Sequence, residues 1–186
     1  MAAALLAVIA RPAGRPADLG AIDRLRRRFD PRHGRVPAHV TLVFPIAADA
    51  RAARRHLAAV AVHGSIAIRL GRPEPIRTGR RGWYVVLPVA AAGAAAVARL
   101  HHALARGPFA GNRRGSGPYR AHLTVAAGLD APTARRVRRR ARRLAHRRLA
   151  LRELELVAWD GSRLTVVGRR DLSRGGTPAA ASRARP

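Results

Sequence analysis

Two tetrapeptides constrain this chain more than any other feature. His39-Val40-Thr41-Leu42 returns 83 residues later as His122-Leu123-Thr124-Val125, and each copy opens a short apolar run after a turn-like stretch. In an extended strand, residues two apart point to the same face. His39 and Thr41 are therefore expected on one face and Val40 and Leu42 on the other, with the second copy repeating the arrangement. Two such strands give two half-sites that can converge on one substrate. Two imidazoles can serve as general base and general acid near neutral pH. Two hydroxyls can donate to the non-bridging oxygens of a phosphate, where charge grows in the transition state. That set of groups suffices for phosphodiester chemistry without metal. Which histidine is base and which is acid stays open, because the two copies are interchangeable on paper.

The surrounding pattern of elements sets these strands in an architecture. The order expected is strand 4–10, helix 17–29, strand 38–45, helix 49–62, strands 64–72 and 82–89, helix 90–106, strand 121–127, helix 131–146, and strands 149–158 and 162–169. Asp18, Asp49 and Asp130 stand where helix N-caps are expected, the last with Pro132 just inside its helix. Trp159-Asp160-Gly161-Ser162 reads as a hairpin turn. Each half places one helix before its His-x-Thr strand and another after it. The pattern is α+β, with two sheet-and-helix lobes.

The motifs and their approaches resemble the two-histidine phosphoesterases, the 2′-5′ RNA ligase-like or cyclic phosphodiesterase superfamily. The similarity runs through Leu25-Arg26-Arg27-Arg28-Phe29-Asp30-Pro31 and Val36-Pro37-Ala38-His39 into the first motif. It returns in Gly117-Pro118-Tyr119-Arg120-Ala121-His122 before the second. The family commonly has Pro before each motif histidine, where this chain has Ala38 and Ala121; the change frees a backbone angle but removes no chemical group. The resemblance implies two pseudo-symmetric lobes, each an antiparallel sheet with helices packed outside, and a central cleft between them. It implies His39 and His122 as the catalytic pair, Thr41 and Thr124 as phosphate ligands, and RNA ends or cyclic nucleotides as substrates. It also implies a reverse reaction, ATP-independent 2′-5′ ligation. No nucleoside triphosphate motif is present, in keeping with that route.

Composition narrows the alternatives. The 186 residues fit one bilobal domain, expected over 1–172, with a polar Ala/Pro/Gly-rich tail at 173–186 expected to be disordered. Aromatic residues make up 4% of the chain, so Ala, Val and Leu must fill the core. There is no Cys, which excludes disulfides, thiolate metal sites and thiol nucleophiles. No carboxylates stand at ligand spacing from the motif histidines, so neither metal nor cofactor is expected. The 37 basic residues are all Arg, as in a composition biased toward GC-rich codons, but the net charge of +27 still attracts polyanions. The apolar start is read as a first strand rather than a secretory signal, because no basic segment precedes it. The expected protein is a soluble, cytoplasmic monomer without membrane spans.

Secondary candidates follow from position. Arg120 would share the face of His122 on a continuous strand and add a cation near the phosphate. Tyr119, Trp83, Tyr84 and Phe44 are candidate base-stacking aromatics. His101 and His102 are expected at the surface, and His33, His56, His63 and His146 carry no assigned chemistry. Residues 106–118 read as a loop rimming the cleft. Helix 131–146 carries Arg135, Arg136, Arg138, Arg139, Arg140, Arg142 and Arg143 around an apolar stripe of Val137, Ala141, Leu144 and Ala145, and is a candidate RNA backbone track. A second reading of the whole is an RNA-binding protein of the same fold with vestigial catalysis.

Overall fold

The computed structural model describes residues 5–61, 64–79, 82–111, 118–161 and 163–172. Among the described residues, eight strands and four α-helices form an α+β fold. They are β1 (Leu5–Ala13), α1 (Pro16–Phe29), β2 (Val40–Ala47), α2 (Ala50–Ala59), β3 (Ile66–Arg69), β4 (Glu74–Arg77), β5 (Trp83–Pro88), α3 (Ala91–Leu104), β6 (His122–Leu129), α4 (Ala131–Ala141), β7 (Arg148–Trp159) and β8 (Leu164–Asp171). The strands run in the order β3-β7-β1-β2-β6-β5-β4, with β8 also on β7, and every pairing is antiparallel.

The two lobes meet where this sheet is thinnest. Between β2 and β6 the register consists of one pair, Val40 with Leu123. Outward from it the order is β2-β1-β7 on one side and β6-β5-β4 on the other. The lobes are thus related by a pseudo-two-fold axis through that pair. Matching irregularities support the relation: the register shifts in β1–β2 between Leu6 and Val8, and in β5–β6 between Trp83 and Val85.

Two of the helices, α1 and α3, are exchanged between lobes. α1 connects β1 to β2 yet packs against β6, and α3 connects β5 to β6 yet packs against β2 and β3. The close approach of α3 requires Gly93, where a Cβ would stand 2.8 Å from the Ala67 carbonyl oxygen. The core lies between helices and sheet, with Val40, Leu42, Leu123 and Val125 fully buried beside Ile22, Val97 and Val137. Alternation along each motif strand therefore leaves the histidines and threonines on the opposite face, as the spacing predicts.

Most expected elements are present, with instructive exceptions. Asp49 and Asp130 cap their helices, accepting from the Ala52 and Thr133 amides at 2.7 Å each. Asp18 does not cap α1: Arg15 holds that position, and the buried Asp18 carboxylate accepts from Arg147 at 2.6 Å instead. The expected strand 64–72 is shorter, and β4 was not expected at all. Its sequence, Glu74-Pro75-Ile76-Arg77, carries a proline that reads as a turn, which is tolerated because β4 is an edge strand. The expected helix 131–146 ends at Ala141 and continues as a 3-10 turn, Arg142–Leu144. Residues 112–117 of the expected rim segment 106–118, His63 and the tail 173–186 lie outside the described residues. Among the described residues no helix is long and apolar enough to cross a membrane.

Candidate active site

His39 immediately precedes β2, and His122 opens β6. An antiparallel register that sets Val40 opposite Leu123 brings His39 toward Thr124 and Thr41 toward His122. All four side chains line one cleft of about 790 Å³. Its walls continue along the sheet as Ile9, Ala7 and Leu5 on β1 and Val86 and Tyr84 on β5, with Phe44 and Pro45 further along β2.

The two imidazoles are held in the same way. His39 Nδ1 lies 2.7 Å from the Pro37 carbonyl oxygen, and His122 Nδ1 lies 2.8 Å from the Arg120 carbonyl oxygen. A carbonyl oxygen only accepts, so Nδ1 carries the proton in both rings and Nε2 is the nitrogen left for a bound group. Each bond reaches the carbonyl two residues back, which makes the twin half-sites locally equivalent.

Their surroundings differ. Burial, reinforced by the positive charge of Arg26 and by His122, pulls the His39 pKa down from 6.5 to about 4, against the opposing pull of the Pro37 carbonyl and Asp30. His39 is therefore neutral at neutral pH. Arg26 and Asp30 are a buried pair on α1 and just beyond it, and both line the cleft. Arg26 donates to Asp30 Oδ2 from Nη2 at 2.7 Å and from Nε at 3.1 Å. Its Nη2 also donates to the Val36 carbonyl at 2.7 Å. The pair thus pins the segment that leads through Pro37 to His39.

The other half-site is braced differently. Tyr119 donates its hydroxyl to the Thr41 carbonyl at 2.8 Å. Its ring stacks on His101, with centroids 3.9 Å apart and planes at 7°. His101 in turn donates Nδ1–H to the Leu42 carbonyl at 2.6 Å. α3 and the approach to the second motif are thereby tied to the strand of the first.

These contacts correct several expectations. Tyr119 is no base-stacking residue, since its hydroxyl and ring are both committed and it lies outside the cleft lining. Burial pushes its phenol upward, in keeping with a donor that keeps its proton. Arg120 does not reach the phosphate site: it precedes the start of β6 and pairs with Glu74 at 3.1 Å. Trp83 packs against the core rather than the cleft. His101 is not a free surface histidine. Tyr84 and Phe44 line the cleft.

Sequence reasoning missed Arg26, Asp30, Arg32 and Trp159. A signal for the first two was present. Asp18, Ile22, Arg26 and Asp30 follow one another at spacing four and all are buried, so Arg26 sits on the inward stripe of α1. Trp159 was hidden at the start of a hairpin turn. Among the described residues, no three His, Asp or Glu side chains are grouped to hold a metal ion.

The family model of the 2′-5′ RNA ligase superfamily matches residues 13–163. The chain belongs to that superfamily. Its fold is similar to that of the crystal structure of E. coli LigT in apo form, with a TM-score of 0.60 at 18% identity, covering 94% of this chain and 100% of that one. E. coli LigT complexed with 3′-AMP gives a TM-score of 0.59 at 16% identity, covering 92% and 99%. Kluyveromyces marxianus Usb1 gives 0.52 at 12% identity, covering 88% and 97%. No curated protein sequence matches the chain. At these identities the structural likeness is one of fold, and this superfamily member's chemistry rests on its own residues.

Proposed function

We propose that this superfamily member is a metal-independent phosphodiesterase that opens 2′,3′-cyclic phosphates, or related 2′-linked diesters, at RNA ends or in nucleotides. The observation that carries the reading is the twin Nδ1–H bond to the carbonyl two residues back, which leaves two Nε2 atoms for one cleft. Structures of E. coli LigT with 3′-AMP and of Usb1 with uridine monophosphate record nucleotides on proteins of similar fold, which supports the substrate class.

The low pKa of His39 supports it as the base and leaves His122 as the acid. His39, neutral at pH 7, takes a proton from water on Nε2 as the water oxygen attacks phosphorus. His122, as the acid, gives a proton from Nε2 to the departing ribose oxygen. The Thr41 and Thr124 hydroxyls donate to the non-bridging oxygens. Water is consumed, a phosphomonoester forms, and solvent exchange restores both rings. With a ribose 5′-hydroxyl in place of water as the attacking group, His39 takes the hydroxyl proton, the 5′ oxygen bonds to phosphorus, and the 3′ oxygen leaves with the proton from His122, which is ATP-independent 2′-5′ ligation.

The test is steady-state hydrolysis of 2′,3′-cyclic mononucleotides and of RNA ending in a cyclic phosphate, with and without chelator. Turnover unaffected by chelator is expected. Activity abolished by chelator and restored by a divalent cation overturns the two-histidine mechanism. Tight RNA binding without turnover of either substrate favours the vestigial RNA-binding reading instead.

A further inference from the structure

We propose that Trp159 and Arg32 form a stacking subsite for an unpaired nucleobase, one nucleotide away from the reacting phosphate, so that this protein acts on an RNA strand end in preference to a free mononucleotide. The inference rests on the phosphodiesterase reading and adds the substrate class to it.

The subsite is a break in the symmetry of the cleft. In one lobe Thr41, Ile9 and Glu155 are in register across β2, β1 and β7. In the other lobe the corresponding row is Thr124, Val86 and Glu74 across β6, β5 and β4. Four residues along β7 from Glu155 stands Trp159, and four residues on from Glu74, just past the end of β4, stands Thr78. Both line the cleft. The first arm therefore ends in an indole and the second in a hydroxyl.

The Trp159 arm is built to cover a flat apolar ring. Trp159 is in register with Leu5 on β1 and with Leu164 on β8, and all three line the cleft. Leu5 is 42% exposed, and with Ile76 at 36% it is one of two large apolar side chains left open among the described residues. Ile76 also lines the cleft, on the other arm.

Arg32 supplies the second layer. Its guanidinium carbon stands 6.0 Å from the Trp159 ring centroid. This is the outer limit of a cation–π contact; a base between the two needs two stacking intervals of about 3.5 Å, about 7 Å in all, so Arg32 has only to move outward by about 1 Å to admit one. A planar base inserted between them meets a π face below and a delocalised cation above, both of which stack on any base. The Asp30 carboxylate accepts the Arg32 backbone amide at 3.0 Å, which anchors the segment carrying that cation.

Distance identifies which base sits there. Trp159 lies four residues along β7 and two strands across from Thr41, on the order of 16 Å along the sheet. That is farther than the base of the nucleotide bearing the reacting phosphate extends. Tyr84, two residues from Val86 on the other arm, stands much nearer the phosphate groups. The Trp159 arm therefore receives the neighbouring nucleotide of the strand.

The experiment compares a 2′,3′-cyclic mononucleotide with an RNA oligonucleotide ending in a 2′,3′-cyclic phosphate, on wild type and Trp159→Leu, which keeps apolar bulk without a stacking face. The variant is expected to lower kcat/KM for the oligonucleotide on the order of 10–100-fold, through KM, and to leave the mononucleotide unchanged. Equal losses on both substrates, or none on either, overturn the subsite. A second readout is independent of turnover. In a Trp83→Phe protein, Trp159 fluorescence is expected to be quenched by a 3′-phosphorylated oligonucleotide and not by a 3′-mononucleotide; absence of oligonucleotide quenching overturns the proposal. Wild type that turns over neither substrate refutes the phosphodiesterase reading alone, and the fluorescence result then decides the subsite.

Discussion

Val40 pairs with Leu123 at the junction of the two lobes, and each is the residue that follows a motif histidine. One backbone pair thus fixes the position of both half-sites at once. The side chains of Val40 and Leu123 point into the core, so their neighbours His39, Thr41, His122 and Thr124 must point into the cleft.

Replacing His39 or His122 with Ala is expected to cut turnover of a cyclic nucleotide by ~10²–10⁴-fold, since each removes one proton transfer. Thr41→Val or Thr124→Val is expected to lose on the order of 10–10³-fold, one phosphate donor at a time. Kinetics on variants verified as folded by circular dichroism check the series. Near-normal turnover in either histidine variant contradicts the assignment.

The low pKa of His39 gives two pH signatures. As the base it works only when neutral, so kcat/KM is expected to rise with pH through about 4, well below the ordinary imidazole value. Between about pH 6.5 and pH 4 the unfolded chain holds a proton on His39 that the folded chain does not, so folding stability rises with pH across that window. The His39 contribution that disappears on acidification through it is at most about 3 kcal/mol. Urea denaturation at several pH values, compared between wild type and His39→Gln, measures it; the variant profile is expected to be flatter there.

Tyr119→Phe removes the hydroxyl that holds the Thr41 carbonyl but keeps the ring on His101. The expected result is a fall in kcat with KM little changed, because the half-sites lose alignment while the groups that touch substrate stay in place. A change in KM alone contradicts this positioning role.

Asp30→Ala leaves the buried Arg26 guanidinium without its carboxylate and is expected to destabilise the fold by about 3–5 kcal/mol. Thermal or chemical unfolding measures the loss. A change below about 1 kcal/mol shows that the pair behaves as a surface ion pair.

The arginines of α4 face away from the chemistry. α4 packs on β4, β5 and β6 through Ala134 and Val137, while Arg135, Arg139, Arg142 and Arg143 are exposed. Converting these four to Gln is expected to leave cyclic mononucleotide turnover intact. Binding of longer RNA should weaken, and its log–log salt slope should shrink by about 0.7 for each phosphate that is no longer neutralised. Unchanged RNA affinity and salt dependence remove α4 from the RNA path.

The motif residues were legible because alternation in a strand is a local rule: His39 and Thr41 could share a face in any fold that makes them extended. The α+β lobes were legible from the order of elements and from the motif flanks. Arg120 was misread because the strand rule was extended past the start of β6, and it pairs with Glu74 instead; the Tyr119 hydroxyl and ring are committed to the Thr41 carbonyl and His101. Trp159 and Arg32 meet only through tertiary packing, which no spacing along the chain encodes. β4 was invisible because Pro75 argues against a strand and is tolerated here at the sheet edge.

The exchange of α1 and α3 bears on how the molecule comes apart. Each lobe keeps its motif strand covered with a helix that enters from the opposite half of the chain. Neither half buries its own apolar strand face alone, so melting of one lobe strips the other. Unfolding is then a single all-or-none event, and two fragments cut between β4 and β5 would recover structure only when mixed.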